Sequence, residues 1–417
     1  MKTPVWVNRP LPARTDPVLA GVIDRAESRR FVFTYDLQCQ SDAAISLTMP
    51  VETESYLYDE LHPVFQMNLP EGELRRTILL RFSKVISGFD DLAMLRLLAN
   101  SQIGRLRYYA DPSQAKAPPQ SIKEILHAKD TQDLLHMLME RYAASSGVSG
   151  VQPKVLLCDQ DTHVGEGRVT TFDATHIVKT FDPKEFPELA ANEFFCMQIA
   201  RQAGLAIPHL QLSDNGRFLV IERFDRIKDD VYLGFEDFCS LHGVGTSRKY
   251  DASYEQLAKR IAEFVAPAQR EQALATFFTS FVVSCIVQNG DAHLKNFGVL
   301  YASAKAPVSL APTYDIVSTK LYIPSDTLAL TLGGSKRFPN ARKLLDFGRL
   351  HCGLTSEQVA QTLERVADAV SATRIHVSQY MRDRSEFKEI GQRLMQCWDA
   401  GLKLSLPPSK VVAKDGS

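Results

Sequence analysis

Apolar and polar positions alternate over short stretches near the start of the chain. Residues 31–36 (FVFTYD) and 45–49 (ISLTM) read as strands rich in β-branched and aromatic residues, and Leu92 to Leu98 reads as a helix. Residues 1–110 are therefore expected to form a small α+β unit. Residues 111–120 (DPSQAKAPPQ) hold three prolines among small and polar residues, which suits an exposed linker. Beyond it, Leu134, Leu135, Leu138 and Tyr142 recur at helical spacing before a break at residues 145–150 (SSGVSG). Lys154–Cys158 and His176–Lys179 then read as two strands around a polar stretch, 159–170. A helix follows from Leu189 to Ala203, with Phe195, Ile199 and Ala203 on one face. Phe218–Glu222 is another strand, running into a polar corner at 223–230. From residue 250 onward the periodicity is mainly helical. Strands with one inserted helix and then helices mark an α+β chain, an order that two lobes, 121–225 and 226–417, behind the leading unit would show and that many other α+β proteins share.

Composition narrows the class. The 417 residues suit two or three domains, and 45% hydrophobic with 23% charged residues excludes collagen-like and disordered chains. Lys and Arg (48) nearly cancel Asp and Glu (49), so no global field holds the chain on nucleic acid or an anionic membrane. The seven cysteines (Cys39, Cys158, Cys196, Cys239, Cys285, Cys352, Cys397) never form a CxxC pair, which favours a reducing compartment. The N-terminus lacks the apolar region of a signal peptide. The longest apolar stretch, Ala273 to Val287, contains Thr and Ser and falls short of the ~18 residues a membrane helix needs. A cytoplasmic protein with no membrane partner is expected.

The sharpest chemical signal is residues 288–297 (QNGDAHLKNF), directly after that apolar helix, which is expected to stop at Asn289-Gly290. A carboxylate, Asp291, followed five residues later by Asn296 is the arrangement of a kinase catalytic loop. There the Asp takes the proton of the substrate hydroxyl and the Asn helps to hold Mg2+. Nineteen residues further on, Asp315 in Thr313-Tyr314-Asp315 offers a second carboxylate, expected at a strand end. A capped helix end with Asp and Asn in turn roles is the plain alternative. His293 either stiffens this loop or lines a phosphate site. Lys179, at the end of an apolar strand, can hold its ammonium against nucleotide phosphates, with Glu193 on the following helix as a partner; a solvated edge lysine is the alternative. In residues 145–154, Gly147 and Gly150 let backbone N–H groups approach an anion and Lys154 supplies charge, although the segment matches neither common phosphate-loop signature and an ordinary Gly/Ser connection is the alternative. Glu222 and Phe224, after a buried-looking strand, suit a hinge that meets an adenine; a strand end with an Arg/Asp turn is the equal alternative.

Taken together, these pieces resemble the HipA-like serine/threonine kinases, toxin components of bacterial toxin–antitoxin modules. The resemblance runs in order through residues 33–36 (FTYD), 47–50 (LTMP), 68–72 (NLPEG), 150–154 (GVQPK), 176–179 (HIVK), Asn192-Glu193, 204–208 (GLAIP), 222–225 (ERFD), 236–239 (EDFC), Lys249-Tyr250, 289–297 (NGDAHLKNF) and Tyr314-Asp315. It covers residues from about 5 to about 350; the remainder carries only helical periodicity. It implies a two-lobed protein-kinase-like fold behind a small N-terminal subdomain. It implies ATP and Mg2+ as cofactors, with Asp291 as proton acceptor, Asn296 and Asp315 on the metal, and Lys179 on phosphates. Ser149, Gly150, Val151, Gln152, Pro153 and Lys154 would embrace the nucleotide, Glu222 and Phe224 would meet adenine, and His293, Lys295 and Tyr314 would complete the nucleotide site.

The resemblance further implies phosphorylation of a serine on an aminoacyl-tRNA synthetase or another translation component. It implies a small helix-turn-helix antitoxin of HipB type, with DNA reached only through that partner. In the family a pair of serines spaced S-x-S precedes the phosphate loop as an autophosphorylation site. Here the triplet is Gly147-Val148-Ser149, so Ser149 is the autophosphorylation candidate and Ser145 and Ser146 lie close by. Two other readings stay open: a small-molecule kinase of the same fold, and a non-catalytic nucleotide-binding partner of a DNA-bound antitoxin.

Overall fold

The computed structural model describes residues 2–8, 17–26, 30–82, 89–98, 102–108, 119–128, 154–159, 174–181, 183–227 and 231–407. The chain forms two compact units. Met1–Phe181, His209–Ser247 and Gly298–Val308 make the first; Asp182–Pro208, Arg248–Phe297 and Ser309–Ser417 make the second.

The first unit opens with an antiparallel sheet of β1 (Thr3–Val7), β2 (Val18–Arg25), β3 (Phe31–Tyr35), β4 (Tyr56–Tyr58) and β5 (Leu106–Arg107), in the order β4-β3-β2-β1-β5. Val5, Val7, Ala20, Ile23, Phe33 and Tyr35 share a buried cluster with Phe65, Leu92, Met94 and Leu95. Two-residue periodicity is what places such strand residues on one face.

Residues 45–49 do not form the strand their β-branched composition predicts. They make only an isolated bridge, Ser46 to Met49. The reason is a buried carboxylate. Glu236 accepts hydrogen bonds from Ser46 Oγ at 2.6 Å, the Leu47 N–H at 2.8 Å and Tyr301 Oη at 2.7 Å. A side chain thus takes the donor that a strand partner would have taken. Burial pushes the Glu236 pKa up despite these donors.

The second sheet has β6 (Pro119–Gln120), β7 (Lys154–Asp159), β8 (His176–Thr180), β9 (Leu210–Leu212) and β10 (Phe218–Glu222), ordered β6-β7-β8-β10-β9. Most of the expected linker lies outside the described residues, and Pro119-Gln120 pairs in parallel with Cys158-Asp159. The helix expected over 134–142 also lies outside them. Leu157, Val178, Phe218 and Val220 pack on Ile122 and Ile125 of the helix Ile122–Leu126.

After β10 the chain turns through a buried ion pair. Arg223 bonds Asp225 at 2.6 Å and also reaches the carbonyls of Ala174 and Gln102, while the Gly104 N–H donates to Asp225 at 2.6 Å. Burial would raise the Asp225 pKa, yet Arg223 and these hydrogen bonds hold it below the usual carboxylate range.

The second unit is helical. Its centre is the helix Arg270–Ile286, buried at every position from Phe277 to Ile286. Tyr254 and Phe347 pack on Phe281 at 4.3 and 5.2 Å between ring centres. The C-terminal periodicity resolves into helices Ser356–Asp383 and Lys388–Ser405, the former started by a Thr355/Gln358 capping box. Gly401 brings the last helix against the backbone of Ile286, where a Cβ would overlap the Ile286 carbonyl. Among the described residues, no helix is long and apolar enough to cross a membrane.

Glu236→Ala is expected to destabilise the first unit by about 3 kcal/mol, because it orphans buried donors on Ser46, Leu47 and Tyr301. Urea unfolding monitored in the N-terminal sheet measures this. A change no larger than an exposed Glu→Ala gives would mean that the carboxylate is dispensable.

Candidate active site

The Arg270–Ile286 helix delivers the chain into the loop that holds Asp291. It ends with Val287 as its cap, and the left-handed residue is Gln288 (φ 58°), not the Asn289-Gly290 stop expected from sequence. The turn is closed by backbone bonds from Gln288 and Asn289 to the carbonyls of Cys285 and Ser284. Gly290 serves close approach instead: a Cβ there would overlap the Asp326 carboxylate and lie 2.5 Å from the Thr327 carbonyl. The loop is tightly bonded within itself. The Asp291 N–H donates to Asn289 Oδ1 at 3.0 Å, His293 N–H to Asp291 O at 2.8 Å, and Asn296 N–H to His293 O at 3.0 Å. Tyr254 Oη anchors the Ala292 carbonyl at 3.0 Å.

The second carboxylate does not sit at a strand end. Asp315 lies in an extended stretch beyond the short strand Val308–Leu310 and adopts φ 63°. Its flanks are pinned to neighbours rather than to a ladder. Thr313 N–H donates to Ala206 O, Tyr314 Oη to Lys295 O at 2.9 Å, and Asn192 exchanges two 3.0 Å hydrogen bonds with the Ser318 backbone. Asn192 stands on the helix Leu189–Gln202 predicted from sequence, as does Glu193, which is buried. Across the two segments, Asn296 Nδ2 donates to Asp315 Oδ2 at 3.1 Å. Asn296 Oδ1 is buried and accepts no hydrogen bond.

An orphaned amide oxygen beside a carboxylate is a natural pair of ligands for a hard cation, whose remaining positions go to water and phosphate oxygens. No cluster of three or more His, Cys, Asp or Glu that could hold a metal occurs among the described residues. The donor set therefore fits Mg2+ bound together with phosphates rather than a full protein cage.

Asp291 is half exposed. Its Oδ1 accepts from Tyr250 Oη at 2.8 Å, and His293 Nε2 lies 3.8 Å from the same oxygen. The Tyr250 ring meets His293 edge-on at 5.1 Å, and the Lys249 ammonium stands 5.5 Å from the Tyr250 ring centre. Desolvation is the main force raising the Asp291 pKa, to about 6. The charges of Asp315 and Asp326 push the same way, and the Tyr250 hydrogen bond and Lys249 oppose them.

Lys179, Glu222 and Phe224 belong to the first unit. Lys179 is not a solvated edge residue: β8 lies inside its sheet, with Lys179 opposite Lys154 on β7 and Leu219 on β10, and it is buried. The Glu222 N–H is bonded to His209 O and the Arg223 N–H to Thr175 O, both at 3.0 Å. Of the hinge groups considered from sequence, those two donors are thus engaged within the sheet. Phe224 is half-buried against Phe235 at 5.8 Å. Lys154 begins β7, while Ser149, Gly150, Val151, Gln152 and Pro153 lie outside the described residues.

The chain has relatives among known proteins. The family description "HipA-like C-terminal domain" matches residues 146–374, and "HipA N-terminal domain" matches residues 11–109. The chain belongs to the HipA-like family. "Putative kinase Y4dM" of Sinorhizobium fredii is 30% identical over 295 residues, 66% of either chain. "Putative kinase Y4mE" of the same organism is 28% identical over 371 residues, 84% of this chain and 86% of that one. "Serine/threonine-protein kinase toxin HipA" of Shewanella oneidensis is 28% identical over 201 residues, 42% of this chain and 43% of that one. Among solved structures, HipA from the Shewanella oneidensis MR-1 complex of HipA, HipB and operator DNA aligns with a TM-score of 0.70 at 19% identity, over 98% of this chain and 99% of that one. That HipA likeness establishes the fold as two-lobed, kinase-like α+β.

Four contributors escape a reading of spacing alone. Tyr250 and Asn192 are visible only as parts of family motifs, and nothing in sequence points the Tyr250 hydroxyl at Asp291 or the Asn192 amide at Ser318. Thr319 and Asp326 carry no motif at all. Gly290→Ala is expected to destabilise the second unit by about 1–3 kcal/mol, since a Cβ forces the Asp326–Thr327 backbone away. Thermal unfolding measures this, and an unchanged midpoint would mean that the Asp326 carboxylate and the Thr327 carbonyl yield to a Cβ at no cost.

Proposed function

We propose that this chain is an ATP- and Mg2+-dependent serine/threonine protein kinase, the toxin of a toxin–antitoxin module. The observation that carries the reading is the Asn296–Asp315 pair, with its orphaned amide oxygen, in electrostatic reach of a carboxylate whose pKa is raised to about 6. In the proposed reaction Asp291 orients the substrate hydroxyl and takes its proton as that oxygen bonds to the γ-phosphorus and the bond to ADP breaks. A pKa near 6 keeps Asp291 mostly ionised at neutral pH while leaving it a competent base. Asn296 and Asp315 would hold Mg2+, which supplies charge neutralisation on the phosphates. Lys179 and residues 149–154, and likewise His293, Lys295 and Tyr314, are proposed as nucleotide contacts from the family resemblance. The adenine would meet the segment around Glu222 and Phe224.

Restraint by a helix-turn-helix protein of HipB type is part of the proposal, supported by the likeness to HipA solved with HipB and operator DNA. A protein substrate of the aminoacyl-tRNA synthetase class, proposed from the family resemblance alone, and a cytoplasmic location complete it. The near-neutral net charge of −1 supports DNA contact through that partner rather than by this chain.

The test is incubation with γ-labelled ATP, Mg2+ and cell extract, followed by mass spectrometry. Asp291→Asn is expected to lower transfer by about 10²–10⁴-fold, the usual worth of a general base. Label on Ser149 or its serine neighbours would mark autophosphorylation. Nucleotide binding with no transfer to any protein would overturn the kinase reading in favour of a binding role.

The pH profile gives a second check. Tyr250 donates to the ionised carboxylate and so lowers its pKa; Tyr250→Phe is expected to raise it. The acid limb of kcat/KM, expected near the Asp291 value of about 6, should then move to higher pH. A limb that stays put or moves down would detach Tyr250 from the base.

A further inference from the structure

We propose that Thr319 and Asp326 form a latch that fixes Asp291 relative to Asp315, with Thr319 as a positioning residue for phosphoryl transfer. The inference rests on the kinase reading and adds to it two residues outside every motif.

Thr319 lies four residues beyond Asp315 and bonds to the residue before Asp291. The Gly290 N–H donates to Thr319 Oγ1 at 2.7 Å, and the Thr319 hydroxyl donates to Asp326 Oδ2. A hydroxyl has one proton. By giving it to the Asp326 carboxylate, Thr319 turns its lone pairs toward Gly290, so the acid dictates the polarity of the latch. The longer Thr319 contact to Gln288 O, at 3.4 Å, is the weaker alternative for that proton.

Gly290 is needed for the same fit, because its Cα faces the Asp326 carboxylate with no room for a Cβ. Both ends of the segment are held. Ser318 is clamped by Asn192, Leu321 O accepts from Arg393 at 2.7 Å, and Leu328 N–H donates to Lys336 O at 2.7 Å. Lys320 adds a backbone bond to Gln288 O and a side-chain bond to Gln288 Oε1, each at 3.4 Å. One side chain therefore spans the segments that carry Asp291 and Asp315, and a shift of Thr319 would change their spacing.

The experiment compares Thr319→Val, Thr319→Ser and Asp326→Asn with wild type in two readouts: hydrogen exchange of the Gly290 amide, and kcat, KM for ATP and pH profile of transfer. Valine keeps the shape and removes the bond. It is expected to speed Gly290 exchange and to lower kcat by about 10–100-fold with KM for ATP little changed, the signature of misplacement rather than lost binding. Serine restores the hydroxyl and should rescue both readouts, which repacking alone would not do.

Asp326→Asn still accepts from Thr319 but removes a like charge. The groups facing Asp291 are Tyr250 and Lys249 from the segment ahead of the helix Tyr254–Phe264, His293 on its own loop, Asp315 and Asp326. With Asp326 neutral, the acid limb should move to lower pH. Wild-type kcat in Thr319→Val, or no rescue by serine, would overturn the latch. Should wild type transfer no phosphate, the kinase reading falls, and Gly290 exchange decides alone: unchanged exchange in Thr319→Val overturns the latch, and faster exchange rescued by serine supports it as a structural tie.

Discussion

Asp291 and Asp315 are both carboxylates, and the fold keeps them in electrostatic reach of one another. The interactions that hold them are specific. Tyr250 and Lys249 stabilise the first carboxylate, Asn296 donates to the second, and Gly290, Thr319 and Asp326 tie the two backbones together. Beneath them lies the Arg270–Ile286 helix, whose buried aromatic face gives the loop a rigid origin. A site of this kind is held by packing and hydrogen bonds rather than by its own chemistry, which opposes it.

The first unit solves a related problem with buried charge. Glu236 stands within the antiparallel pair of Gly234–Asp237 with Gly298–Tyr301, the Arg223–Asp225 pair at the turn after β10, and each gathers backbone donors or carbonyls from segments far apart in sequence. Such groups are costly to bury singly and stabilise only when every partner is present. That explains why the ERFD and EDFC segments are legible as motifs although much of their role is architectural. Arg223 and Asp225 hold the corner after β10.

Much of this was readable in the chain. Short runs of β-branched, aromatic and other apolar residues located β3, β7, β8 and β10, and helical periodicity located Leu189–Gln202, because burial writes itself into sequence. The Asp291–Asn296 spacing also located the loop. What could not be read were effects of distant partners. Ser46 and Leu47 looked like strand because their acceptor, Glu236, lies 190 positions beyond Ser46. Gly290 looked like a helix stop because the Asp326 carboxylate that excludes a side chain there is invisible locally. Asp315 looked like a strand end because its flanks are pinned by Asn192 and Lys295 rather than by a ladder.

The central claim is a division of labour: Asp291 handles the proton, and Asn296 with Asp315 holds the metal. Mn2+ binding, followed by electron paramagnetic resonance in the presence of a non-hydrolysable ATP analogue, tests it most directly. The account predicts that Asp315→Asn loses most of the bound Mn2+ signal while Asp291→Asn retains it. Equal loss in both variants, or undiminished binding in Asp315→Asn, would contradict it.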